Sequence, residues 1–375
     1  MEKDVVVKKR KEKFGIISGF IMIVIAIILL FVNEASAVDA EKVISLAKDS
    51  YIEVSSSKID KNNDGKLVVT NGKINLINDM IYDQDFNVGV KTAKLVRTVE
   101  MYQWSEKCED SENGKETCTY TKNWRNTIID DTNFESGHVN PDTMPYSSSE
   151  LYMSNVNLGE YILDVNLLQQ LSTNKKYTDL DEKVAKSKDL NIIDGMFTTY
   201  EEENKPEIGD VRISFLYNDA SDISVMGVQS ENKFVKFSPE GTNYEILELR
   251  ESILNGKEFI NELSSANSVK TWIFRLIGTL LMIFGILSIL SFISYLASFI
   301  PFLGKIVVNG VFIVSLLVGT SLSLFVIAIS WFVVRPVLSI ILILIIVGLI
   351  VLLYKYNKKK KTNNTNEAVN NEVKE

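Results

Sequence analysis

The sequence predicts a multi-span α-helical membrane protein with an extracytoplasmic α+β domain inserted between the first and second transmembrane helices. Three observations carry that expectation. From Trp272 through Tyr354 there is no Asp or Glu, and the formal charges are Arg275, Lys305 and Arg335. A second apolar run, Phe14 to Val32, follows a basic N-terminal segment. Between the two lie 238 residues, Asn33 to Lys270, with the mixed patterning of a folded domain. Apolar stretches of such length belong in a bilayer, where a helical crossing takes about 20 residues.

Residues 1–13 carry six Lys/Arg and are expected as a cytoplasmic basic tail, because cations stay on the cytoplasmic face. Residues 14–32 form the first span. Ala35-Ser36-Ala37 has the form of a signal-peptide cleavage site, but the 19-residue apolar run exceeds the usual 7–15, which favours a retained signal anchor. The later charges divide the C-terminal block into spans at residues 271–293, 307–334 and 337–354. Arg275 is near enough to the start of its span to snorkel. Arg335-Pro336 reads as a tight hairpin, since proline lacks a donor and disfavours helix at the preceding residue. Residues 294–306, with Pro301, are expected as a cytoplasmic interfacial segment, and residues 355–375 as a basic, disordered cytoplasmic tail. Both termini are then inside, which four crossings satisfy. Ser315, Gly319 and Ser323, and Gly15 with Gly19, place small residues where helices can pack closely.

Residues 33–270 contain 25 Lys/Arg against 42 Asp/Glu, a net of −17, whereas the whole chain is −8. Such a domain repels nucleic acid. Leu95 to Glu106 alternates between two faces, and Thr117 to Asp130 answers it across a hairpin. Val211 to Tyr217, Ile223 to Val228 and Lys233 to Phe237 read as further strands. Helical spacing appears over Tyr161 to Leu171 and Leu247 to Leu263, while Thr173 to Lys188 reads as a polar surface excursion.

Cys108 and Cys118 flank an Asn-Gly turn, which suits a disulfide across a hairpin in an oxidising space. Closing so short a loop contributes on the order of 2–3 kcal/mol. Unpaired thiols, a catalytic thiol and a metal site stand as alternatives. His138 is the single histidine. No Gly-x-Ser-x-Gly elbow, His-Glu-x-x-His pair or phosphate loop accompanies it, so a structural hydrogen-bonding role fits better than catalysis. Asp60, Asn62, Asp64 and Gly65 open like a calcium loop, but the twelfth position is Asn71 where a bidentate Glu is required. A turn leading into a strand fits better. No catalytic residue, metal or cofactor is expected.

Several dispersed motifs carry a resemblance. They are Asn33-Glu34; Tyr102 and Trp104 in Met-Tyr-Gln-Trp; Trp124-Arg125; His138 with Asn140-Pro141; Gly209-Asp210-Val-Arg212; Trp272 with Arg275; and Trp331-Phe332 with Arg335-Pro336. In that order the chain resembles the transmembrane protein 43 (LUMA) family. The resemblance implies four spans with a large domain between the first and second, and no catalytic residue to carry over. In animals the family is placed in the endoplasmic reticulum and inner nuclear membrane, with lamins, emerin and self-association. The Ile-, Lys- and Asn-rich composition points here to the plasma membrane of a bacterium, which has no such envelope. The Cys108/Cys118 loop lies outside the matched motifs.

These readings converge on a membrane scaffold without catalysis, contacting membrane lipids and self-associating or binding membrane proteins. A lipid-metabolism enzyme or lipid-handling accessory at the domain–bilayer junction is the alternative. An extracytoplasmic sensor is a further one, weakened by the absence of a cytoplasmic signalling domain.

Overall fold

A computed structural model describes residues 3–9, 16–77, 80–111, 115–202, 205–297, 304–337, 339–341 and 344. The chain forms two compact units: Met1–Glu12 with Val43–Leu263, and Lys13–Lys42 with Ser264–Glu375.

The first unit is built on two sheets. One runs β1 (Lys3–Lys9), β7 (Lys115–Arg125), β6 (Lys94–Ser111), β14 (Val211–Tyr217), β13 (Met196–Thr198) and β12 (Asn191–Ile193). β8 (Ser149–Tyr152) pairs with β6, and β11 (Lys175–Tyr177) with β14. The other runs β10 (Tyr161–Leu163), β9 (Val156–Leu158), β3 (Leu67–Leu76), β15 (Asp222–Ser230) and β16 (Lys233–Val235). To it are added β2 (Ile52–Glu53), parallel to β3, and β17 (Glu248–Arg250), against β15. A small hairpin pairs β4 (Ile81–Asp83) with β5 (Val88–Val90).

Period-two alternation makes these strands half-buried. On β14, Val211, Ile213 and Phe215 point inward, and on β6 so do Leu95, Val99 and Met101. They share one core with Val156, Leu158, Ile223 and Val225 of the second sheet. The expected hairpin of 95–106 with 117–130 is present, lengthened to 18 residues on its first arm and ending at Arg125 on its second.

Two helical expectations resolve differently, each because of a cap. Over Tyr161 to Leu171 the chain is first β10, then the short helix α2 (Val165–Leu168), because the Asp164 carboxylate accepts from Leu167 N at 3.1 Å. Over Leu247 to Leu263 the chain is β17 before the long C-terminal helix starts. There Asn255 and Glu258 exchange side-chain to backbone bonds of 2.9 Å each way, a capping box. The polar stretch 173–188 holds β11 and α3 (Glu182–Ser187). Within the segment expected as a cytoplasmic basic tail, Lys3–Lys9 form strand β1, paired antiparallel with β7.

Among the described residues three helices are long and apolar enough to cross a membrane: α1 (Ile16–Ser50), α4 (Gly256–Ala297) and α5 (Gly304–Val334). At about 1.5 Å per residue, the 35 residues of α1 extend to roughly 52 Å, longer than a hydrocarbon core. The polar end of α1 and the start of α4 belong to the first unit, where Val43, Ile44 and Ala47 meet Phe259, Ile260 and Leu263 over Leu67, Val69 and Met226. The sheet-rich domain is thus inserted between two helices that continue without a break from its core into apolar sequence. α4 runs through Ala297 and α5 starts at Gly304, so helix enters both ends of the expected interfacial segment, and residues 298–303 lie outside the described residues. Helix is interrupted at Arg335 and present again at Pro336, with Ser339 N donating to Arg335 O at 3.1 Å. Most of the fourth expected span and the tail also lie outside the described residues.

Within the helical unit, close approach depends on missing side chains. A Cβ on Gly19 would sit 2.7 Å from Gly285 O, and one on Gly285 would sit 2.9 Å from Gly19 O. A Cβ on Gly319 would meet Ile283 Cα at 2.8 Å. Ser315, Ser323 and Ser330 are buried and return their hydroxyls to carbonyls four residues back. We expect Gly285→Leu to push α1 and α4 apart at a cost of roughly 1–3 kcal/mol or more. Thermal unfolding in detergent, followed by helical circular dichroism, will show a lowered midpoint; an unchanged midpoint refutes this packing.

Candidate functional site

Glu34 lies just beyond the apolar run of α1, where a carboxylate loses water on one side. Its side chain is 1 % exposed. A carboxylate so placed is tolerated only with a partner, because removing a charge from water costs several kcal/mol. Arg275 of α4 supplies it in bidentate form, Nε to Oε1 at 2.6 Å and Nη2 to Oε2 at 2.8 Å. Trp331 of α5 adds an indole donor, Nε1 to Oε2 at 2.7 Å. One carboxylate therefore joins all three long helices. The Arg275 guanidinium also lies 4.8 Å from the Trp272 ring and 5.8 Å from that of Trp331. Snorkelling describes Arg275 poorly, since its donors are held by Glu34.

Neighbouring polar residues extend the arrangement along α1. Asn33 Nδ2 donates to Thr271 O at 3.1 Å, and Asn267 Nδ2 donates to Ala37 O at 3.1 Å. Thr271 in turn donates to Asn267 O at 2.7 Å. Arg335 donates to Glu41. Motif residues at 33–34, 271–275 and 331–335, far apart in sequence, thus meet in one place. Trp331 carried no assigned role in the sequence; only an indole within reach of a buried carboxylate reveals it.

The sheet-rich unit assembles its own motif cluster on β6, β7 and β14. The loop containing His138 and Asn140 folds onto the hairpin. Asn140 Oδ1 accepts from Trp104 N at 2.7 Å and its Nδ2 donates to Trp104 O at 3.1 Å, mimicking a further strand. The His138 ring stacks on Tyr120 at 3.7 Å and meets Trp104 edge-on at 4.7 Å. Its nitrogens lie 3.3 Å from Glu135 O and from Asp4 Oδ2. Tyr120 donates to Glu106 and accepts from Glu135 N. Nearby, Gly209 N donates to Tyr102 O at 2.9 Å, and φ of +96° at Gly209 suits glycine. A Cβ there would press on Pro141 at 3.1 Å. Asp210 accepts from Thr199 and from Glu207 N. Arg212 pairs with Glu100 at 2.7 Å and covers Trp124, which packs on Tyr102.

Cys108 and Cys118 face each other in the β6–β7 register and are joined by a disulfide. With Glu106 they are the group of metal-type donors that comes together among the described residues. A soft metal needs thiolates, and these sulfurs are bonded to each other, so the oxidised site does not fit one. The calcium-like loop is likewise closed internally: Asp60 caps Asn62 N, and Asp64 Oδ1 accepts from Gln229 and Glu231.

Replacing Arg275 by Met leaves Glu34 buried beside one remaining donor, and we expect a loss of roughly 3–5 kcal/mol. Adding Glu34→Gln restores much of it. A double-mutant cycle on thermal or denaturant unfolding checks this, and additive losses would refute the coupling. Asn140→Ala, which leaves Trp104 N–H without its acceptor, is expected to cost about 1–3 kcal/mol in the same assay.

The family model for Transmembrane protein 43 matches residues 101–336. Transmembrane protein 43 of Mus musculus is 29% identical over 348 residues, covering 86% of this chain and 85% of the mouse protein. The Homo sapiens protein is 28% identical over 350 residues, 88% of this chain and 86% of its own length. A Drosophila melanogaster homologue is 28% identical over 290 residues, 73% of this chain and 76% of its own. No solved structure matches the chain. The match spans most of the inserted domain, all of α4 and α5 and both motif clusters from Tyr102 onward, and the chain belongs to the Transmembrane protein 43 family.

Proposed function

We propose that this protein is a membrane scaffold that organises protein or lipid assemblies without performing catalysis. One observation carries the reading: the motif residues are engaged by partners within the chain. Glu34 holds Arg275 and Trp331, Arg335 holds Glu41, Arg212 holds Glu100, and Asn140 holds Trp104. Groups used in this way maintain shape and leave outer faces for partners. His138 supports the same view, with its ring stacked on Tyr120 and edge-on to Trp104, and Nδ1 near Glu135 O. The proposed setting is the plasma membrane of a bacterium, with the acidic 33–270 domain outside and the C-terminus in the cytoplasm. The Ile-, Lys- and Asn-rich composition and the Lys-rich C-terminal segment support it.

A lipid-handling role is the second reading. Trp272 is 65 % exposed at the start of the second span, and Arg335 Nε and Ser339 Oγ are buried one helical turn apart with no hydrogen-bond partner. An interfacial tryptophan and unused donors suit a lipid headgroup. Native mass spectrometry of the gently extracted protein separates the two. Oligomers or a partner at fixed stoichiometry support the scaffold. A monomer retaining one lipid species replaces it with lipid handling.

A further inference from the structure

β7 takes an added strand along its outer edge, and the fit is specific. β1 lies antiparallel on it, from Lys3 opposite Thr121 to Lys9 opposite Lys115. Asp4 presents Oδ2 to His138 Nε2 at 3.3 Å. Two residues on, Val6 packs against the cluster of Trp104, Cys118 and Tyr120, with Phe134 and Ile208 beside it. Val5, on the opposite face, is 61 % exposed. The register also sets Lys8 opposite Glu116. Read along the added strand, the seat accepts an acid, then an aliphatic residue two positions later, within a basic segment.

Residues 3–9 precede the apolar run of α1, and the sheet follows it. A single crossing by that run puts the two on opposite faces of the bilayer. A second copy in the same orientation has the same difficulty. We infer that in the inserted protein the β7 edge is a strand-acceptor site for an extended segment of a different protein, of the pattern acid–x–aliphatic with basic flanks. Backbone pairing supplies affinity, and the Asp4 and Val6 positions supply selectivity. Charge favours such a ligand. The stretch 106–116, which includes the residues of β7 facing Lys8 and Lys9, carries Glu106, Glu109, Asp110, Glu112 and Glu116 against Lys107 and Lys115. This deepens the scaffold reading by naming what the domain holds.

The test uses the full chain in proteoliposomes with the domain facing outward, and a labelled peptide of residues 1–12 as probe. Saturable binding is expected, weakened roughly tenfold or more in a Val6→Asp peptide, whose carboxylate would enter an apolar seat. A photoreactive group at peptide position 5 is expected to label the strand around Thr119. Absence of saturable binding, or equal binding of the Val6→Asp peptide, overturns the inference. So does cross-linking of the inserted protein's own residue 5 to its own Thr119, which would show the edge to be self-occupied. An assembled protein that ignores the peptide keeps the scaffold reading and ends this one; a monomer that binds the peptide does the reverse.

Discussion

A carboxylate at the end of an apolar run imposes one requirement on everything around it. Glu34 cannot keep its charge in that position unless cationic and neutral donors reach it, and they come from two other helices. The bidentate guanidinium fixes rotation as well as distance, because both N–H groups must lie in the plane of the carboxylate. Trp331 then limits where α5 sits. Apolar packing has no such directional preference, since lipid tails are as apolar as the helix faces they cover. The glycine contacts at 19, 285 and 319 permit close approach, and the ion pair selects one geometry among the close approaches available.

The sequence made the membrane helices and the long β6–β7 hairpin legible, because both rest on periodicities that survive without tertiary context. Apolar runs of about 20 residues and strict alternation are signals of that kind. Two stretches of helical spacing fold as strand plus helix for a local reason. Leu163, Leu167 and Leu171 satisfy a helical spacing, yet Asp164 caps in their midst. Asn255 does the same before Glu258. A capping residue is a local signal that overrides apolar spacing, and reading caps before periodicity would have placed both boundaries.

The motif residues were visible one by one, whereas their meeting was not. Nothing in the spacing of positions 34, 275 and 331 indicates that three side chains from three helices share one carboxylate. The sign that something had to meet Glu34 was nevertheless present: an acid two residues past an apolar run demands a partner, and Arg275 is the first cation of the second apolar block. Asn140 and Trp104 are harder. Their pairing uses a backbone amide and a backbone carbonyl of the tryptophan, groups that every residue carries, so no residue type announces it.

The two clusters answer the same physical problem in different solvents. Near the apolar runs a buried charge must be matched, because an unpaired charge there has no water to fall back on. In the sheet-rich unit, His138, Trp104, Tyr120 and Phe134 combine ring stacking with hydrogen bonds whose outer ends stay near solvent. The first arrangement tolerates little displacement, since any shift of α4 or α5 strips a donor from Glu34. The second surrounds a strand edge with rings that hold an aliphatic side chain by shape, and contacts of that sort allow exchange of one occupant for another. A rigid polar clamp fixes the helices, and an aromatic seat on the sheet holds an aliphatic side chain of the added strand by shape.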